Sequence, residues 1–209
     1  MREGVMIILA SKSPRRETLL RQLFEEFIVI DSNIIENVTH GEPPRALVTR
    51  LAREKALSAV SIAGHPHCLV LGADTAVVLD DHILGKPSTP EEAGRMLAML
   101  LGREHLVITG YCVLKQPGAE SVCGAVETRV KMRAATQEEI DRYVATGEPL
   151  DKAGGYAIQG LGAVFVESVQ GSFSNVVGLP LEEVARAFLQ LDPSLLERGI
   201  MRKDAPWAR

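Results

Sequence analysis

Short apolar runs alternate along this chain with longer stretches of helical period, and that alternation predicts an α/β fold. Three stretches carry the prediction. Ile7 to Ala10 is a brief apolar run that passes through a tight loop into an amphipathic helical pattern. Cys68-Leu-Val-Leu-Gly-Ala73 is continuously apolar, as a central strand covered on both faces should be. Val122 to Arg133 alternates cleanly, with Val126, Thr128, Val130 and Met132 on one face and Glu127, Arg129, Lys131 and Arg133 on the other. Those charges read as the solvated side of a half-exposed strand.

In chain order, the first run reaches a helix at Ser13, which sits where an N-cap belongs, with Pro14 at the first helical position. Leu19, Leu20, Leu23, Phe24 and Phe27 follow at helical spacing. Ser11, Lys12, Ser13, Arg15 and Arg16 crowd the loop and first turn. A helix start already carries positive partial charge, so adjacent arginines there are unfavourable unless an anion completes the arrangement. Hydroxyls, guanidinium groups and free N–H groups together suit a phosphate; the alternative is a solvated basic turn.

Phe27 to Asp31 reads as a second strand and Ser32 to Pro44 as a polar loop bearing Glu36. A helix is expected from near Pro44 to about Ala63, with Val48, Leu51, Ala52, Leu57 and Ala59 inward. Lys55 falls on that inward stripe, where a lysine must either reach water or find an anion. After Gly72 the central strand delivers Asp74 and Thr75 at its end. A carboxylate there either caps a neighbouring loop or serves as a catalytic base or metal ligand.

Ala76 to Leu79 continues extended, Asp80-Asp81 turns, and Ile83-Leu84 leads to Gly85-Lys86-Pro87. This is no Walker loop, because Pro87 stands where Ser or Thr is required; it is a lysine held between Gly and Pro. Thr89, Pro90 and Glu92 form a capping-box start to a helix that Gly102 stops. His105 to Leu114 is a strand ending at Gln116-Pro-Gly-Ala, and Thr136 with Glu139 opens a further helix that ends near Gly147. Gly147 to Gly160 has no steady period and sets Glu148, Asp151, Lys152, Tyr156 and Gln159 among glycines. It is either a turn-rich connector or a binding loop. Ala163 to Val169 reads as a strand, and a last helix after Pro180 turns Leu181, Val184, Phe188 and Leu191 inward.

Composition narrows the classes. A length of 209 residues allows one large domain or two small lobes, and 46% hydrophobic content allows a proper core. The net charge of −4 gives no general attraction to nucleic acid. Cys68, Cys112 and Cys123 have no metal-ligand spacing and leave an odd thiol, which suits reduced cysteines and a cytoplasmic location better than a disulfide scaffold. No apolar run approaches a membrane span.

Taken together, six stretches resemble the Maf family of nucleoside triphosphate pyrophosphatases. They are Leu9-Ala-Ser-Lys-Ser-Pro-Arg-Arg16, Glu54-Lys55, Gly72-Ala-Asp-Thr75, Gly85-Lys-Pro87, Glu148-Pro-Leu-Asp-Lys-Ala-Gly154 with Tyr156 and Gln159, and Asn175-Val-Val-Gly-Leu-Pro180. They follow the family's order over residues 1–191, read as a single domain, with 192–209 left as a polar, unpatterned tail. The resemblance implies an elongated, twisted mixed sheet flanked by helices, of the Maf and ITPase-like kind, with two lobes around a central cleft and often a homodimer. It also implies hydrolysis of a nucleoside triphosphate to the monophosphate and pyrophosphate with a divalent metal, Mg or Mn.

The chemistry of the residues agrees with that expectation. Attack of water on the α-phosphorus needs cations on the triphosphate oxygens and an oriented nucleophile. Arg15, Arg16, Lys55 and Lys86 are the candidate cations and Ser11 adds a hydroxyl. By resemblance Asp74 is the catalytic carboxylate, as base or metal ligand, and Glu36 a second metal ligand. The resemblance also separates a subgroup acting on dTTP and UTP from one acting on 7-methyl-GTP, which carries Trp, Asp-Gln and Glu at three places. Here those places hold Arg15, Thr75 and Gln159, all matching the dTTP/UTP side. The main competing class is a nucleotide-binding regulator of septum formation, which would need the phosphate loop but not Asp74. A nucleotidyl or carbohydrate transferase is the other, and no second-substrate motif supports it.

Overall fold

The computed structural model describes residues 5–37, 41–118 and 120–198. Its strands are β1 (Met6–Ala10), β2 (Ile28–Ile30), β3 (Cys68–Leu79), β4 (His82–Leu84), β5 (Glu104–Gln116), β6 (Ser121–Met132) and β7 (Val166–Gln170). They form one seven-stranded sheet in the order β2-β1-β3-β5-β6-β7, with β4 paired to β3. The sheet is mixed: β1 runs parallel to β2 and β3, while β4 on β3 and β7 on β6 are antiparallel. Helices α1 (Pro14–Leu20), α2 (Pro44–Ala63), α3 (Pro90–Leu100), α4 (Gln137–Ala145), α5 (Phe173–Val177), α6 (Leu181–Leu191) and α7 (Leu195–Arg198) flank it. This is the mixed α/β sheet with helices that the sequence predicts.

The described residues divide into two compact units, and the chain crosses from one to the other between Asp74 and Thr75 on β3. The first holds the residues up to 74, 110–125 and those from 178 on; the second holds 75–109 and 126–177. In the first unit the core gathers Ile8, Ala10, Ala52, Ala56, Ala59, Cys68, Val70 and Leu114. In the second, Val77, Leu79, Leu97, Leu100, Val130, Met132, Ile140, Tyr143 and Phe165 close another.

The small residues of the first core follow from how closely α2 lies on the sheet. A Cβ at Gly72 would stand 2.0 Å from the Ala52 carbonyl oxygen, and one at Gly110 would stand 2.2 Å from that of Val48. No other residue type lets helix backbone meet strand backbone at that range. The same seating corrects the expected stripe of α2. Ala56, not Leu57, faces inward, and Leu57 is 44% exposed.

Five further expectations shift. Asp74 and Thr75 lie in the middle of β3, not at its end, because the strand runs on through Ala76 to Leu79. The strand expected from Ala163 starts later, at Val166, after a 3₁₀ turn over Leu161–Phe165. Glu92 accepts from the Ser88 N–H instead of closing a capping box on Thr89, whereas Thr136 and Glu139 form a complete box. Cys112 and Cys123, expected as reduced thiols, are bonded to each other and leave Cys68 as the unpaired, buried cysteine. They meet because β5 and β6 are sheet neighbours, a proximity that sequence spacing does not reveal. Beyond Asp192 the chain forms α7 with Leu195 buried; the rest of the expected tail, from 199 on, lies outside the described residues.

Candidate active site

The first unit assembles its charged groups where β1 gives way to α1. Ser13 caps the helix by accepting from the Arg16 N–H at 3.5 Å, and Pro14 fills the first position, as the sequence predicts. Ser11 is buried, and its hydroxyl accepts from the Ser13 N–H at 3.1 Å and from Arg16 at 3.4 Å. Arg16 reaches across the unit, donating from Nε to the Gly178 carbonyl and from Nη1 to the Ala73 carbonyl, each at 2.8 Å. The Asn175-to-Pro180 stretch of the sequence thus contributes Gly178 as an arginine anchor. Burial lowers the pKa of Arg16; Asp74 opposes the fall, Arg15 adds to it and Glu36 opposes it. Two arginines and two carboxylates therefore share one electrostatic neighbourhood.

Lys55 is the hub. Seated low on the sheet by Gly72, α2 buries this lysine to 7% exposure, and its Nζ lies 2.6 Å from Asp74 Oδ1 and 2.6 Å from Glu36 Oε1. Of the two outcomes open to a lysine on that stripe, it takes the anion. Asp74 is largely covered, at 13% side-chain exposure, while Glu36 comes from an open loop at 51%. Burying that cation costs desolvation, which two carboxylates at hydrogen-bond range oppose.

Two carboxylates converging on one cationic atom also fit a hard divalent ion. Mg²⁺ characteristically takes one or two protein carboxylates and completes its shell with water and phosphate oxygens. Among the described residues no group of three or more His, Cys, Asp or Glu could hold a metal alone. Asp74 and Glu36 are the two carboxylates that could share one, with water or ligand oxygens completing its shell.

The second unit carries the remaining candidates. The Thr75 hydroxyl lies 3.0 Å from that of Thr109. Lys86 is exposed between Gly85 and buried Pro87, and Gly85 accepts from the Gly154 N–H at 3.0 Å, which ties the Lys86 segment to the glycine-rich loop. Gly154 holds φ +69°, and a Cβ there would press on Val77 at 2.9 Å. Gln159 is exposed on the turn that closes from the Gly160 N–H to the Ala157 carbonyl.

The residues that shape this loop escaped sequence reasoning in their particulars. The Glu148 carboxylate accepts from the Tyr143 hydroxyl at 2.8 Å, the Leu161 N–H at 2.9 Å and the Gly162 N–H at 3.0 Å. Burial pushes its pKa up, but the Gly162 and Leu161 N–H groups and Tyr143 outweigh that, and the net shift is downward. Tyr156 bonds His105 at 2.8 Å, and burial drops the His105 pKa to about 4. Glu148 was visible as a charged residue among glycines; that it holds the Gln159 loop shut on itself was not.

Its sequence places the protein in a known class: the chain belongs to the Maf family, whose model, described as Maf-like protein, matches residues 6–191. Its relatives are more specific. The dTTP/UTP pyrophosphatase of Thermococcus onnurineus (strain NA1) is 50% identical over 179 residues, covering 86% of this chain and 94% of that protein. The dTTP/UTP pyrophosphatase of Anaeromyxobacter sp. (strain Fw109-5) is 53% identical over 182 residues, 86% of each. That of Symbiobacterium thermophilum is 46% identical over 193 residues, 92% of this chain and 97% of its own. Among solved structures, the Staphylococcus aureus Ham1 protein aligns with 90% of the chain at 16% identity and a TM-score of 0.44, too distant to add to the assignment.

Proposed function

We propose that this chain is a nucleoside triphosphate pyrophosphatase that hydrolyses dTTP and UTP to the monophosphate and pyrophosphate. The observation that carries the reading is the Asp74–Lys55–Glu36 cluster, in a chain about half identical to dTTP/UTP pyrophosphatases over most of its length. In this reading Asp74 takes the proton from the attacking water, whose oxygen bonds to the α-phosphorus while the α–β bridging bond breaks and pyrophosphate leaves. Lys55 holds that carboxylate in place and faces the developing negative charge. Arg15, Arg16 and Ser11 at the start of α1, with Lys86, offer cations and a hydroxyl to the triphosphate. A divalent ion held by Asp74 and Glu36 would withdraw charge from the phosphate oxygens. Arg15, Thr75 and Gln159 are assigned to the base.

The same reading places the protein in the cytoplasm, where it clears canonical or modified pyrimidine triphosphates as a house-cleaning enzyme, and makes a homodimer its working form. Among the described residues no helix is long and apolar enough to cross a membrane. Pyrophosphate release by the purified chain with Mg²⁺, across UTP, dTTP, CTP, ATP, GTP and 7-methyl-GTP, tests the reading. Highest kcat/KM for UTP and dTTP supports it. No release from any of them returns the chain to the non-catalytic regulator of septum formation, and a preference for 7-methyl-GTP overturns the substrate class.

A further inference from the structure

Glu36 is the exposed member of the charged cluster, and residues 31–37 around it form neither helix nor strand. Ile35, next to it, is 80% exposed and anchors nothing. Two hydrogen bonds from α2 bracket this segment. Arg50, Glu54 and Ser58 recur every four residues and so line one face of that helix, beside Lys55. The Ser58 hydroxyl donates to the Ser32 carbonyl, four residues before Glu36. Arg50 donates from Nη2 to the Asn37 carbonyl at 2.9 Å, one residue after it. The same guanidinium grips Glu42 with two bonds, Nε to Oε1 at 2.8 Å and Nη2 to Oε2 at 2.7 Å, and gives Nη1 to Glu54 Oε1 at 3.0 Å. Glu42 and Glu54 therefore aim the fork, and the bond to Asn37 carries its hold to the neighbour of Glu36. Lysine could not replace it, because one ammonium nitrogen cannot meet a carboxylate with two parallel bonds and reach two further acceptors as well.

We infer that Arg50 is a positioning residue: by holding the Asn37 carbonyl and the Glu42 carboxylate at one guanidinium, it keeps Glu36 on the side of Lys55 where Glu36 and Asp74 can share a divalent ion. The inference rests on the reading of Glu36 and Asp74 as that pair of ligands. An ion held by two carboxylates is bound more tightly when both are already in place, since freedom left to Glu36 has to be given up on binding. Arg50 makes no contact with the ion in this account and acts through Glu36. Its charge works against its position, because a nearby cation repels a divalent ion, so a purely electrostatic Arg50 would weaken metal binding and its loss would strengthen it. An Arg50 that only anchors the start of α2 through Glu42 would change stability and leave metal binding alone. The three roles give three different results.

The test is the Mn²⁺ affinity of the nucleotide-free chain, read from the EPR signal of the free ion, in the native protein, Arg50→Lys, Glu36→Gln and the Arg50→Lys/Glu36→Gln pair. Arg50→Lys keeps the charge and loses the fork, and should weaken Mn²⁺ binding by roughly tenfold, the scale on which residues that orient metal ligands act. In a chain already lacking the Glu36 carboxylate the same substitution should add nothing, because Arg50 acts only through Glu36. With UTP, the Mg²⁺ concentration for half-maximal pyrophosphate release should rise in Arg50→Lys, and excess Mg²⁺ should restore the rate, which it would not do for a damaged fold. Folded Arg50→Lys that binds Mn²⁺ as tightly as the native chain, or more tightly, overturns the inference, as does a further loss in the pair. If Arg50→Lys does not fold, Glu42→Gln, which removes the charge of the fork's two-bond acceptor, carries the same expectations and the same refutations, alone and with Glu36→Gln. A native chain that takes up no Mn²⁺, or a Glu36→Gln chain that binds it as the native one does, defeats the shared-ion reading itself, an outcome distinct from any of these.

Discussion

Lys55 reaches Asp74 from α2, and the consequence of removing the Asp74 charge differs for folding and for rate. In Asp74→Asn, Lys55 keeps Glu36 at 2.6 Å, so the buried ammonium retains an anion. The fold should survive, with a loss of stability below the 3–5 kcal/mol that stranding a buried charge can cause. Turnover should fall roughly a hundredfold or more, because asparagine cannot take a proton or bind a cation as an anion. Urea denaturation and pyrophosphate release on the same preparation separate the two effects, and near-native release would remove Asp74 from the chemistry. Lys86 offers a cleaner contrast, being exposed. Lys86→Met should leave the unfolding midpoint unchanged while lowering kcat/KM for UTP and dTTP by similar factors; a change in preference between them would move Lys86 to the base.

His105 gives a prediction in pH. Its pKa falls from the ordinary 6.5 to about 4 through burial, with Glu104 working weakly the other way. Between those values the unfolded chain binds the proton and the folded chain does not, so stability from this group is complete above 6.5 and is lost as pH falls toward 4. Replacing His105 with Gln should flatten that part of the stability curve, measured as unfolding free energy against pH. A slope unchanged by the substitution would show that His105 does not titrate across folding.

At the scale of elements, the seating of α2 on β3 connects sequence to site. An alanine Cβ at position 72 would sit 2.0 Å from the Ala52 oxygen and 2.8 Å from the Ala56 nitrogen, both backbone atoms that cannot turn aside. Gly72→Ala must lift the helix that carries Lys55, and should cost at least about 3 kcal/mol as severe overpacking with a matching loss of activity. Gly94, inside α3, is the opposite case: its added methyl would meet nothing nearer than Ile140 at 3.8 Å. Gly94→Ala should stabilise by about 0.5–1 kcal/mol, since glycine is the poorer helix former. Chemical denaturation reads both, and a Gly72→Ala chain as stable as the native one would refute the account of α2.

The glycine-rich loop is the other element that ties fold to function. Three donors converge on Glu148, and a Cβ at Gly160 would stand 2.3 Å from its carboxylate, so glycine there lets the loop close over it. Glu148→Ala leaves the Leu161 and Gly162 N–H groups without their acceptor. It should loosen the turn that bears Gln159 and raise KM for UTP more than it lowers kcat, with faster amide exchange confined to 156–162.

For the molecule as a whole, Gln159→Glu should erode the preference for UTP and dTTP over 7-methyl-GTP more than it lowers maximal rate, because a carboxylate cannot donate to a carbonyl. Steady-state kinetics on the nucleotide panel check this, and an unchanged preference would take Gln159 away from the base.

Sequence by itself determined what repeating local geometry can encode. A continuous apolar run placed β3, and periods of two and 3.6 placed β6, α2 and α6; Ser13 with Pro14, and Thr136 with Glu139, marked helix starts that the structure bears out. Lys55 on an apolar stripe left two outcomes open, water or an anion. Tertiary structure decided everything that depends on which elements become neighbours. It set Asp74 in mid-strand beside Lys55, turned Ala56 inward in place of Leu57, joined Cys112 to Cys123 and gave Glu148 its three donors. It also set the Thr109 proton on the main-chain carbonyl of Asn175, 66 positions away along the chain. A hydroxyl's role depends on what its own hydrogen is already bound to, and that partner is chosen by packing across the sheet, where spacing along the chain carries no information.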